Sequence, residues 1–192
     1  TGAPRGNPSD MPAPLQFDAA STWRIGKPDL IVSTPELLVK ANSADWWGEG
    51  AEPIPVAGLA EDRYVAAVEI KEINDVEASG TGRQTVGGHY VVHHMSWSTR
   101  MPEAFSLDGT VSLRTETAAV TPWPVHEVGR NPDYFDPRGA RLLKAGSSIL
   151  ITTYHLHSNG RDTKAHLEIG FKFHPKGYVP DYKQARFSLG NG

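Results

Sequence analysis

Two stretches of the chain concentrate side chains able to hold a metal. HYVVHHMSWS, residues 89–98, sets His93 and His94 side by side in a run of Val, Tyr, Met and Trp that otherwise reads as a core strand, and TYHLHSNG, residues 153–160, carries His155 and His157. A neutral imidazole brings one donor and one acceptor, and each polar group left unpaired in an apolar setting costs about 1–3 kcal/mol. Adjacent histidines in such a run therefore need partners. Strand geometry puts residues i and i+2 on one face, so His155 and His157 share a face and could chelate. His93 and His94 point to opposite faces of a regular strand; both serve one site only where the backbone twists, bulges or ends, and bulges favour the neighbourhood of active sites. Neutral imidazoles drawn from two strands suit copper or zinc, ions that use nitrogen ligands and an open coordination position.

The other histidines have plainer readings. His89, after two glycines, is expected in a turn, His174 in FHPKG is expected to be exposed, and His166 in AHLEIGFKF is expected to be structural. Glu168 is a candidate acceptor that would orient a ligand imidazole. Glu69, Glu72, Asp75 and Glu77 read as solvated strand and turn charges, and the Trp46–Trp47 pair reads as core or interface, with a binding groove as the other possibility. Rival chemistries find no support: Ser96 and Ser98 stand in no nucleophile-elbow pattern, and EASGTGRQTVGG lacks the phosphate-loop lysine and a following helix, so it reads as a hairpin loop.

The elements that must position these side chains are strands. From Trp23 onward, short apolar runs are bounded by Pro, Gly, Asn or Asp: DLIVS, ELLVKA, YVAAVEI, HYVVHHMSW, TVSLRT, RLLKAG, SILITTYHLH and HLEIGFKF. Many are β-branched or aromatic and alternate, and no segment sustains an apolar stripe of helical period over three turns. ELLVKANSADWW fits either a short helix or a loop-flanked strand. The expected fold is all-β, a jelly-roll-like antiparallel β-sandwich spanning residues 22–178, because a helix-free chain must bury one sheet face against another. Proline-rich extended arms are expected at both termini, residues 1–21 and 179–192, and a long ordered loop over 121–138, whose Trp123, His126 and Tyr134 are candidates to cover a site.

Composition narrows the partners. The 192 residues carry 19 Lys and Arg against 22 Asp and Glu, a net charge of −3, with no basic cluster. Nucleic acid and anionic membranes lack an electrostatic basis, and the apolar stretches fall far short of the roughly 20 residues that span a bilayer. Having no cysteine removes disulfides, thiolate zinc sites and thiol catalysis together. Thr1 is expected to open a mature or excised piece and not a signal peptide.

The segments WRIGKPDLIVSTPELLVKA, DRYVAAVEI, VVHHM, GARLLKAGSSILITTYHLHSNG and LEIGFKF together resemble the N-terminal half of the copper type II, ascorbate-dependent monooxygenases, the group of peptidylglycine α-hydroxylating and dopamine β-monooxygenases. The likeness covers Trp23 to Phe173 and is closer to bacterial members, in which such a half follows a c-type cytochrome domain. The resemblance implies a jelly roll holding one copper through His93, His94 and His155, with His157 as a spare or supporting ligand. It implies an electron-storing role, with ascorbate or another reductant as donor. An oxygen-activating second copper domain is not found in this sequence, and a second copper domain or c-type cytochrome is an implied partner. Assigning HLH to an oxygen site with Met95 or Met101 as soft ligand is disfavoured. The resemblance also implies an extracellular or periplasmic location. The alternatives are a zinc site of three histidines and a metal-free interaction module that meets protein partners through its proline-rich arms.

Overall fold

The computed structural model describes residues 2, 6–10, 22–50, 52–76, 85–102, 120–129 and 132–182. Most of the two expected arms and the whole of the expected strand TVSLRT lie outside these residues.

Alternation builds the strands. In β12 (Thr163–Phe173), Thr163, Ala165, Leu167, Ile169 and Phe171 are buried while Lys164, His166, Glu168 and Lys172 face outward, the period-two pattern of a sheet with one face on a core. Its neighbours are β1 (Leu30–Ser33), β2 (Leu37–Val39) and β5 (Arg63–Asn74), and β5 also pairs with β9 (Asp133–Tyr134) and β10 (Arg141–Leu143). These six form one antiparallel sheet. A second antiparallel sheet is centred on β6 (Val92–Arg100) and β11 (Ser148–Leu156); β3 (Trp46–Gly48) and β4 (Ile54–Pro55) flank β11, and β7 (Val120–Pro122) and β8 (His126–Glu127) flank β6.

One apolar cluster joins the sheets. Val65, Val68, Leu167, Ile169 and Phe171 from the first meet Val92, Met95, Trp97, Ile149, Ile151 and Tyr154 from the second. The expected all-β sandwich is the observed architecture. ELLVKANSADWW forms strands at both ends and no helix, and the expected 121–138 loop holds β8 and β9 within it. The reading of EASGTGRQTVGG is corrected in part: residues 77–84 lie outside the described ones, but one helical turn, α1 (Val86–His89), follows them. Thr85 caps it by accepting a hydrogen bond from Gly88 N at 3.1 Å, which offsets the poor helix propensity of two glycines.

Two carboxylates expected to be solvated are structural. Glu69 is buried and accepts from the backbone N–H groups of Arg24 and Ile25 at 2.8 and 3.1 Å, fastening the entering chain to the outer face of the first sheet. Trp23 lies beside it on Gly170, where an added Cβ would come within 2.5 Å of the indole. Glu72 is half-buried and accepts from Val92 N at 2.8 Å and Val91 N at 3.0 Å, so the first sheet grips the chain just ahead of the histidine pair. Burial raises the Glu72 carboxyl above its ordinary value of 4.5, against the lowering effect of its hydrogen bonds. Both groups are drawn inward because unpaired backbone donors there would cost more than a satisfied carboxylate.

Candidate metal centre

The histidines are gathered by a break in strand register. Along β6 and β11 the paired residues run Ile151 with Trp97, Thr153 with Ser96, Tyr154 with Met95, and His155 with His94; the next pair is Leu156 with Val92. His93 is skipped. It is the extra residue of a β-bulge, and beyond it the pairing resumes with His157 N donating to Val91 O at 3.0 Å. Met95 and Trp97 face the core, so strict alternation would send His93 inward as well. The inserted residue lets Val92 take the core position, fully buried, and leaves His93 and His94 together on the outer face. Val128 N donates to His93 O at 2.9 Å, which gives the bulged peptide a partner. A second shift between Ile151 and Thr153 turns Tyr154 to the core and His155 outward, onto the same face.

The donor atoms of His93, His94 and His155 all lie within 4.8 Å of one another. This group could hold a metal ion. His93 Nδ1 and His155 Nδ1 are 3.0 Å apart, near the ~3.3 Å edge of a tetrahedron around a metal at about 2.0–2.1 Å from nitrogen. Carboxylates engage the far sides of two rings: Glu127 Oε2 lies 2.7 Å from His94 Nδ1, and Asp45 Oδ2 lies 3.2 Å from His155 Nε2. A ring N–H held by a carboxylate fixes the tautomer, leaving the lone pair on His94 Nε2 and on His155 Nδ1, and makes that nitrogen a better donor.

Register explains why these partners meet. Trp47 of β3, His155 of β11, His94 of β6 and Glu127 of β8 are paired in succession, so four side chains form one row across the outer face. Trp47 stacks on His155 with ring centroids 4.0 Å apart and planes 9° from parallel, and reaches His94 at 5.9 Å. The His155 imidazole is buried beneath it while Trp47 remains 60% exposed. His93 is held below the usual imidazole value of 6.5, chiefly by burial and then by repulsion from His94, His155 and His157, with Glu127 opposing. A neutral ring is the ligating form.

His157 stands next to the group and not within it. Its ring is 5.3 Å from that of His93, its Nε2 is buried with no hydrogen-bond partner, and burial lowers its proton affinity.

Several expectations are corrected here. Glu168 does not stand near the histidine group: it sits in β12 of the opposite sheet, 4.0 Å from the outward-facing His166. Glu127 and Asp45 fill that place instead, and nothing in their sequence neighbourhoods marks them, since each acts across strands. Trp46 and Trp47 are exposed, at 46% and 60%, and not core. Of the loop residues expected to cover a site, Trp123 and His126 are buried in or beside the core, and Tyr134 lies on the first sheet with its hydroxyl donating to Arg24 O. His174 is not fully exposed; it stacks on Tyr178 with centroids 3.9 Å apart, and its Nε2 is buried without a hydrogen-bond partner. Met95 is fully buried in the core, away from the outer face, so it is no soft ligand for the HLH pair. His89 closes the α1 turn, as expected.

No protein-family model, curated protein or solved structure matches the chain. Among the described residues no helix is long and apolar enough to cross a membrane.

Proposed function

We propose that the chain is a mono-copper redox domain, similar to the electron-transfer half of an ascorbate-dependent copper monooxygenase. The observation that carries the reading is the convergence of His93, His94 and His155 at a bulge on an outer sheet face, with two of the rings oriented by carboxylates. The donor set suits the ion: three imidazoles accept either copper oxidation state and leave a position for water or a small ligand. Bound copper would supply a one-electron couple there. The protein's own part is to fix the tautomers through Glu127 and Asp45 and to keep His93 neutral. The resemblance carried by VVHHM and ITTYHLHSNG points to the same metal, to ascorbate or a related reductant as donor, and to an exported assembly. In such an assembly a c-type cytochrome or a second copper domain receives or supplies the electron.

A zinc site is the second reading, favoured by the carboxylate–histidine pairs, which are a frequent support of zinc ligands. Metal analysis of natively purified protein, followed by electron paramagnetic resonance of the oxidised form, tests both. One copper per chain with an axial type II signal supports the redox domain; one silent zinc supports the second reading; no stoichiometric metal overturns both and leaves an interaction module. His93→Ala, His94→Ala and His155→Ala should each abolish stoichiometric binding while circular dichroism retains the sheet signal.

A further inference from the structure

Trp47 is the one member of the row that bonds no polar partner and coordinates nothing, yet it is placed with care. Its indole lies 4.0 Å from the His155 ring at 9° from parallel and spans toward His94 at 24°. Its other face is open, at 60% exposure, whereas His155 is only 7% exposed. Trp46 and several other large apolar side chains are also exposed, so what distinguishes Trp47 is its parallel ring contact with His155. Asp45, two residues before it in sequence and substantially exposed, engages His155, while Glu127 closes the far end of the row beyond His94.

We propose that Trp47 is the port through which electrons enter the metal centre, its open face meeting the donor and its inner face coupled to the His155 ligand ring. This rests on the copper reading above. The transfer is a single electron: the donor loses one, copper(II) becomes copper(I), and the indole begins and ends in the same oxidation state, serving as the coupling medium. With an outer-sphere donor such as hexaammineruthenium(II), which becomes the ruthenium(III) ion, no bond forms and no proton moves. Such a dication, its ammine ligands inert, does not ligate the copper, so its reaction reports outer-sphere transfer alone.

The opposing explanation is a plain shield over His155, and it has the opposite sign. Removing a shield opens the centre and speeds its reduction; removing a port slows it. The test compares wild type with Trp47→Leu and Trp47→Phe. In the metal-free protein, the indole ring current should shift the His155 ring protons upfield in NMR spectra, and Trp47→Leu should abolish that shift with the remaining sheet resonances unmoved. All three proteins should then bind one copper per chain. In stopped-flow reduction by hexaammineruthenium(II), Trp47→Leu should be slower by about tenfold or more, with Trp47→Phe between it and wild type. A copper-loaded Trp47→Leu protein reduced as fast as wild type, or faster, overturns the port. Failure of the wild type to bind copper overturns the copper reading and the port with it, a result distinct from the first.

Discussion

At the scale of single residues, the centre depends on which ring nitrogen is free. The Glu127 carboxylate at His94 Nδ1 and the Asp45 carboxylate at His155 Nε2 decide that before any ion arrives. Glu127→Ala should therefore lower metal affinity by about 10–100-fold with the protein still folded, as measured by competition with a calibrated chelator, and Glu127→Gln, which keeps an acceptor, should lower it less. Protons compete for the same lone pairs. Because the folded protein holds His93 below 6.5, it binds fewer protons there than the unfolded chain, so this group's contribution to stability is complete above 6.5 and is lost as the pH falls from there through the lowered folded value. Metal should leave over the same acid interval and return on neutralisation. A chelator titration repeated across that range checks it: an affinity unchanged into acid would rule out imidazole ligation.

At the scale of elements, the bulge in β6 is the device that turns a strand into a chelating surface, and Glu72 is its anchor. The carboxylate holds Val91 N and Val92 N from the opposite sheet, and Asn74 Nδ2 ties the same carboxylate to His89 O. Glu72→Gln replaces one accepting oxygen by a donor facing backbone N–H groups. It should cost about 1–3 kcal/mol of unfolding free energy in urea and weaken metal binding, although Glu72 touches no ligand. The strands themselves were legible in the sequence. The runs LIVS, YVAAVEI, SILITTYHL and AHLEIGFKF declare themselves by alternation, and β5, β11 and β12 lie where those runs are. The bulge was legible only as a condition: in VVHHMSW the apolar spacing lengthens from two to three between Val92 and Met95, and adjacent histidines serve one site only if the pleat is interrupted. What could not be read was register. Nothing local says that His155 faces His94 or that Glu127 lies beyond it, because those neighbours are set by pairings between distant segments. The same blindness sent Glu168 to the wrong sheet and made Trp47 look like core.

At the scale of the whole molecule, the two faces of the second sheet have separate duties. Its inner face, with Val92, Met95 and Tyr154, closes the sandwich against Leu167, Ile169 and Phe171; its outer face carries the centre. Phe171 is fully buried and touches Trp97 and Trp123 edge-on. Phe171→Ala should cost about 3–5 kcal/mol in a denaturant series. The metal affinity of the protein that remains folded should stay at the wild-type value, since no ligand contacts that ring. The sandwich was expected from the lack of any sustained helical stripe, and the absence of cysteine had already removed thiol chemistry. The proline-rich ends stayed beyond that kind of reading, because segments without periodicity carry no signal of what they lie against.

Separating the two faces has an evolutionary corollary. The inserted residue between a buried valine and a buried methionine confines the histidine group to the solvent side, so substitutions there could add or remove the group while the packed core stays as it is. A protein engineer could transplant the same four-position row onto an unrelated antiparallel scaffold.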